Sequence, residues 1–120
     1  MAVTSVLFSG STNGAPIQLT GTAFASKTTI HAAHATAHDE LYLFANNTSG
    51  TAADVSVIVL ASGNDVDADG KYLVKTFSVP AKSPSIAIVQ GIRVTGSVDV
   101  KAYPSSANVI NISGYVTRIP

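Results

Sequence analysis

The chain has 120 residues, which is the size of a single domain. Seven basic residues balance seven acidic ones, which argues against nucleic-acid binding because neutralising phosphates needs clustered Lys and Arg. The absence of cysteine excludes disulfides, thiol catalysis and Cys-based metal sites. Because 46% of the residues are apolar and only 12% are charged, we expect a folded chain that associates with other chains.

The sequence also predicts a protein that is made in a cytoplasm and is not exported through a membrane by a signal of its own. No basic residue precedes the short apolar stretch at residues 3–8, whereas a secretory signal has a positive start and a longer apolar core. The longest apolar segment, residues 55–61, is too short and too interrupted to span a bilayer.

Residue types and turn spacing predict short β-strands along most of the chain. Val, Ile, Ser and Thr are abundant, and β-branched side chains suit a pleated sheet. The predicted strands are residues 16–25, 39–45, 54–60, 71–79, 85–89, 97–102 and 109–117, with an eighth candidate at 28–32. Two alternating sets are expected to face inward: Ile17, Leu19, Phe24, and Val55, Val57, Val59. The predicted fold is all-β, a single antiparallel β-sandwich of jelly-roll or immunoglobulin-like type.

The first fourteen residues differ from the rest. Residues 3–8 are strand-like and are followed by the flexible sequence Gly-Ser-Thr-Asn-Gly at 10–14. We therefore divide the chain into an N-terminal arm, residues 1–14, and a β-sandwich domain, residues 15–120. The arm either completes the domain's own sheet or adds a strand to the exposed edge of a neighbouring subunit.

Three histidines, His31, His34 and His38, are the only ones in the sequence and lie within eight residues. Imidazoles three and four residues apart share one face of a helix, as in some zinc sites. The surrounding sequence, however, is typical of a strand end leading into a loop. We interpret the three as structural or surface histidines, with a metal site shared between subunits as the alternative.

A second metal candidate is the acidic sequence around Asp65, Asp67 and Asp69, which resembles the opening of an EF-hand calcium loop. The position of the bidentate glutamate is occupied by Thr76, and the flanking segments are predicted strands. A solvated turn is the favoured interpretation. Weak calcium binding is the alternative, and no cofactor is predicted.

Motifs for catalysis are missing from the sequence. It contains neither the Gly-x-Ser-x-Gly of a nucleophile elbow nor the Gly-x-x-x-x-Gly-Lys that cradles phosphates. The chain is therefore predicted not to be an enzyme. The absence of Trp weakens, without excluding, a carbohydrate-binding interpretation.

Two segments resemble small virion proteins of tailed bacteriophages. Residues 29–49 read Thr-Ile-His-Ala-Ala-His-Ala-Thr-Ala-His-Asp-Glu-Leu-Tyr-Leu-Phe-Ala-Asn-Asn-Thr-Ser, and residues 113–119 read Ser-Gly-Tyr-Val-Thr-Arg-Ile. The resemblance covers roughly residues 28–62 and 84–119. The acidic sequence at residues 65–69 departs from the pattern.

The resemblance implies a non-enzymatic structural component of the virion, with a β-sandwich fold and commonly a homotrimer. Small size and neutral charge favour a capsid decoration protein that binds the major capsid protein on the outer surface of the head. Its contacts to the capsid or to a neighbouring subunit would be Val3, Val6, Leu7 and Phe8. Deleting residues 1–9 is then expected to abolish binding and leave the sandwich folded.

Two other classes of function remain open. One is a tail or fibre module that binds a host receptor or glycan, for which exposed aromatic side chains are expected. The other is a metal-dependent hydrolase that uses the three histidines, for which stoichiometric zinc is expected.

Overall fold

The computed structural model describes residues 3–23, 26–60 and 73–120, and its regular secondary structure in these ranges is almost all β-strand. The strands are β1 (Thr4–Val6), β2 (Ile17–Gln18), β3 (Thr28–Ala32), β4 (His38–Asn47), β5 (Ala53–Leu60), β6 (Leu73–Val79), β7 (Ile86–Val94), β8 (Asp99–Pro104) and β9 (Ile110–Ile119). The prediction of an all-β sandwich is confirmed. In the same ranges, no helix has the length and hydropathy needed to cross a membrane.

The strands form two antiparallel sheets that pack together. The first sheet has the order β1-β9-β4-β7, with β2 also paired to β9, and the second has the order β3-β8-β5-β6. The antiparallel pairs are nested along the chain: β2 with β9, β3 with β8, β4 with β7, and β5 with β6. One long hairpin that rolls up in this way is a jelly roll, so the immunoglobulin-like alternative is wrong.

The hydrophobic core follows from the two-residue period of the strands. In β4, Leu41, Leu43 and Ala45 are fully buried while the residues between them are half-buried on the outer face. The core also contains large side chains from both sheets: Leu19, Ile30, Val55, Val57, Val79, Val100, Ile110, Ile112 and Val116. Each such side chain contributes about 1.5–3 kcal/mol by leaving water.

Most predicted strands are confirmed, with boundaries that shift by a few residues. The main difference is at the predicted strand 16–25: of its described residues, 16–23, only Ile17 and Gln18 form ladder pairs with β9. Ile17 and Leu19 face inward as predicted, whereas Phe24 lies outside the described residues. In β5, Val55 and Val57 are buried as predicted, but Val59 is only half-buried.

The described part of the predicted arm belongs to the sandwich. Strand β1 pairs with β9 of the same chain, with Thr4 opposite Arg118. The chain then crosses towards β3, where the Gly10 N–H donates to the Ile30 carbonyl at 3.0 Å. Of the two alternatives for the arm, the structure shows the first: residues 4–6 complete the sheet of their own chain.

The Phe8 ring packs against Gly114 on the inner face of β9. Gly114 has a φ of 143°, and a Cβ added there would collide with the backbone carbonyl oxygen of Tyr42 on β4 and would also meet the Phe8 ring at 3.1 Å. The Phe8 side chain is 3% exposed. The prediction that Phe8 contacts a capsid or another subunit is therefore wrong, because its ring is already buried in the core of its own chain. Deleting residues 1–9 would remove part of this core.

Candidate functional site

His31 lies on β3 and is almost completely buried. The backbone N–H of Ser9 donates to its Nδ1 at 3.1 Å, so that nitrogen must be unprotonated. The proton of the neutral ring is then on Nε2, which lies 2.8 Å from Oδ2 of Asp39 and donates to it. The ring is thus fixed in one tautomer between the N-terminal segment and β4.

Asp39, near the start of β4, is the centre of a buried polar cluster that also contains His31 and Arg118. Its carboxylate has no exposed area. Oδ2 accepts hydrogen bonds from His31 Nε2 at 2.8 Å, from Arg118 Nη2 at 3.0 Å and from the His34 backbone N–H at 3.2 Å. Oδ1 accepts a further one from Arg118 Nε at 2.7 Å.

These partners determine the ionisation of Asp39. Burial works to raise the pKa of Asp39, but the hydrogen bonds from Arg118, from His31 and from the His34 backbone, together with the charge of Arg118, outweigh it. The pKa of Asp39 is lowered from 3.8 to about 2. The hydrogen bond to Asp39 in turn raises the pKa of Arg118. Both groups are therefore charged at neutral pH and form a bidentate ion pair.

His34 has a different role from His31. Its Nδ1 accepts the backbone N–H groups of Thr36 at 3.1 Å and Ala37 at 2.9 Å, which fixes the turn between β3 and β4. Its proton is consequently on Nε2. His38 begins β4 on the exposed outer face.

The structure does not bring the three histidines together as metal ligands. His31 is in the core, His34 is in a turn, and His38 is on the outer face of β4. Within residues 3–23, 26–60 and 73–120, no three His, Asp or Glu side chains are grouped to hold a metal ion. The second metal candidate, Asp65, Asp67 and Asp69, lies outside the described residues.

The buried cluster holds the fold together and offers no free base for catalysis. A general base needs a ring nitrogen that can reach a substrate proton, yet both nitrogens of His31 are occupied by Ser9 and Asp39. Among the described residues, no buried side-chain polar atom lacks a hydrogen-bond partner. The cluster ties β3, β4, β9 and the N-terminal segment to one another.

Sequence reasoning selected His31 and missed its partners. A signal for Asp39 was present, because the alternation of strand 39–45 places it on the same face as Leu41 and Leu43. Arg118 likewise follows the buried Val116 by two residues. A charge on the apolar face of a strand indicates a buried partner of opposite charge.

A cavity of about 490 Å³ lies beside the cluster at the end of the sandwich where β1 begins and β9 ends. It is lined by Thr4, His34, Thr36, Ala37, Arg118 and Pro120. Arg118 connects the two features, since its side chain is 27% exposed and its guanidinium is held by Asp39. Asp39 itself does not line the cavity.

Two apolar surface features lie on the first sheet. Val3 and Leu7 flank the edge strand β1 and are 59% and 52% exposed. On the outer face, Tyr42 and Tyr115 are opposite each other in β4 and β9, and their rings stack with centroids 5.0 Å apart. Val6, by contrast, is half-buried and packs against the core.

Fold and site together define this chain as a jelly-roll protein with a buried His–Asp–Arg cluster. No family model matches it, and neither the curated proteins nor the solved structures contain a match.

Proposed function

We propose that this chain is a structural protein of a tailed-bacteriophage virion, a capsid decoration protein that binds the major capsid protein on the outer surface of the head. The observation that carries the proposal is the exposed edge strand β1. It has no charged residue, and Val3 and Leu7 expose apolar side chains at its two ends. The unpaired backbone groups of an edge strand can pair with another chain, and exposed apolar side chains at both of its ends can pack against that partner.

Two further points support this function. Residues 29–49 and 113–119 resemble small phage virion proteins, and the jelly roll is a fold that viral capsid domains use. Fold analogy alone does not define a function. The fixed tautomer of His31 and the saturated carboxylate of Asp39 add support, because they leave this cluster without a catalytic group.

The test compares charged substitutions at the edge with one elsewhere. The double variant Val3→Asp, Leu7→Asp alters two exposed side chains, so the sandwich should still fold. Its affinity for purified shells assembled without this protein should fall at least about thirtyfold, as for two interface anchors. Ala52→Asp, in the exposed turn after β4, is the matched control and should bind normally. Equal binding by both variants would exclude the β1 edge as the contact.

Copy number separates the head from other locations. Quantitative mass spectrometry of purified particles should give about one copy per shell subunit or a simple fraction of it. A handful of copies would assign the protein to the tail or fibre instead. Absence from particles would contradict any role in the virion.

Association as a homotrimer is part of the proposal and rests on the resemblance. Sedimentation equilibrium of the purified chain should give three times the 12.2 kDa monomer mass. A monomer at high concentration would contradict it.

The second candidate function is a tail or fibre module that binds a host receptor or glycan. It is favoured by the stacked pair of Tyr42 and Tyr115, since Tyr115 is 43% exposed on a sheet face and aromatic rings bind sugars by stacking. Tyr115→Ala should then reduce binding to host cells and leave binding to empty shells unchanged. The decoration function predicts no binding to host cells by either form.

A further inference from the structure

We propose that the cavity beside the buried cluster is a pocket for a large apolar side chain of the major capsid protein, carried by an extended segment that adds to the open edge of β1. The choice of partner rests on the proposed function, whereas the pocket itself follows from the geometry. An added strand presents alternate side chains to the two faces of the sheet, so a pocket next to the edge determines which sequence can bind.

The inner side of β1 leads directly to the cavity. Val6 packs against the core, so Thr4, two residues before it, faces the same side of the sheet and lines the cavity. In the described part of the chain, β9 is the one strand that pairs with β1. Residues directly opposite each other in neighbouring strands share a face. A side chain opposite Thr4 in an added strand would therefore point into the cavity.

The edges of β3 and β7 are less suited to a new strand. The edge of β3 is covered, since the Gly10 N–H donates to the Ile30 carbonyl and the Ala32 N–H donates to Ser9 Oγ at 2.7 Å. The pairing of β7 with β4 has two register shifts, and Gly91 in β7 has a φ of 87°. Such irregularities bend a strand and hinder further pairing. Strand β1 pairs with β9 without a register shift.

The chemistry of the cavity fits an uncharged and mainly apolar occupant. The guanidinium of Arg118 is already neutralised by its bidentate pair with Asp39. Apolar atoms form most of the lining, to which Ala37 and Pro120 contribute. Strand β1 itself has no charged residue. A neutral cavity next to an uncharged edge complements an uncharged segment, and its volume of about 490 Å³ is sufficient for a Leu, Met or Phe side chain.

N-Acetylleucinamide is the first probe, and N-acetylasparaginamide, whose side chain has nearly the same shape but is polar, is its control. The leucine compound should shift the Thr36 and Ala37 amide signals in NMR spectra and reach saturation, because both residues line the cavity. The asparagine compound should not. Equal shifts with the two compounds, or no saturable shift with the leucine compound, would refute the pocket.

A variant that fills the cavity locates the contact. Thr4 is an exposed strand residue, so Thr4→Phe should keep the fold while its ring occupies the pocket. It should abolish the shifts caused by N-acetylleucinamide and weaken binding to purified shells at least about tenfold, the effect of excluding one apolar side chain. Thr29→Phe, at an exposed position of β3, is the matched control and should change neither. Unchanged binding to shells by Thr4→Phe would exclude the pocket from the contact.

Hydrogen exchange tests the added strand. The amide hydrogens of residues 3–7 should exchange more slowly in the protein bound to shells than in the free protein, because the outward N–H groups of β1 gain partners. Binding to shells with unchanged exchange would overturn the added strand and leave the proposed function intact. Absence of binding by the wild-type protein would contradict the proposed function and, with it, the capsid protein as the source of the side chain.

Discussion

At the scale of single residues, Asp39 is the centre of the buried cluster that it forms with His31 and Arg118. It occupies an inward position of β4 that the strand pattern would give to an apolar side chain, and it is fully buried. A buried charge is stable only when it is paired and hydrogen-bonded. Arg118 and His31 meet this requirement from two different sheets.

We predict that Asp39→Asn lowers the free energy of unfolding by about 3 kcal/mol or more. An amide can accept from only one side, so its NH₂ would face a donor on either His31 or Arg118. Guanidinium denaturation measures the change. Glu40→Gln is the matched control: it removes an exposed ion pair to Arg93 and should cost less than about 1 kcal/mol. Equal effects of the two substitutions would contradict a structural role for Asp39.

The lowered pKa of Asp39 predicts a specific acid sensitivity. The carboxyl has a pKa of about 2 in the folded chain against 3.8 for the ordinary group. The unfolded chain therefore binds the proton more tightly, and this contribution to stability, about 2 kcal/mol, is present above pH 4. It is lost as the pH falls from about 4 to about 2.

NMR titration of the Asp39 carboxyl carbon provides the measurement, and its midpoint should be about 2. In wild-type protein, stability should decline more steeply below pH 4 than in Asp39→Asn. A midpoint near the ordinary value, or parallel decline in the two proteins, would show that the pair with Arg118 does not hold the charged form.

At the scale of elements, the alternation of apolar and polar residues predicted where most strands lie but not where they end. Strand 39–45 was predicted from alternation and is present as His38–Asn47. The predicted strand at 16–25 is longer than the strand that the described residues form: Ile17 and Gln18 pair with β9, and Leu19 adds a hydrogen bond to the Ile110 carbonyl before the strand ends. Alternation reports which side chains face inward; it does not report where a neighbouring strand stops.

The N-terminal segment shows the same limit. Residues 3–8 are strand-like in sequence, and whether they pair within the chain or with another chain depends on a partner that the segment itself does not specify. In the structure, two groups of the same chain hold the segment in place: Gly114, against which the Phe8 ring packs, and Nδ1 of His31, which accepts a hydrogen bond from the Ser9 N–H. Both lie far from the segment in sequence, so no local pattern could have indicated them.

We predict that Phe8→Ala lowers the free energy of unfolding by about 3–5 kcal/mol, because the ring is buried and leaves a cavity over Gly114. Its neighbour Leu7 is 52% exposed, and Leu7→Ala should change stability by less than about 0.5 kcal/mol. Denaturant unfolding of the two variants provides the comparison. A neutral Phe8→Ala would mean that the segment is an independent arm.

At the scale of the whole molecule, the sequence predicted a sandwich and left its topology open. Jelly-roll and immunoglobulin-like folds share short alternating strands, and they differ in which strands pair. The nested pairs β2–β9 and β3–β8 join segments from opposite ends of the chain. Pairs between such distant segments form only when the complete jelly roll is assembled, so the pattern within one segment does not predict them.

The nested topology makes a prediction about folding rate. Long-range pairs must form before most of the core is buried, and closing long loops costs entropy, so refolding should be slow for a chain of this size. Thr4 lies opposite Arg118, so a short linker can join the two ends. A cut between Ser106 and Ala107 spares the backbone hydrogen bonds of Ser105 and Asn108. In this circular permutant β9 precedes β1, and both become neighbours along the chain.

We predict that the permutant keeps the jelly roll and refolds about tenfold faster than the original chain, because pairing β9 with β1 and β2 now closes short loops. Tyrosine fluorescence in stopped-flow refolding measures the rate, since the sequence has four Tyr and no Trp. The control is the original chain with the same linker attached to its N-terminus and left unjoined, which should refold at the original rate. If permutant and control refold equally fast, closure of the outermost strands does not limit folding. The rate must then depend on the pairs β3–β8, β4–β7 and β5–β6, whose separation along the chain the permutation leaves unchanged.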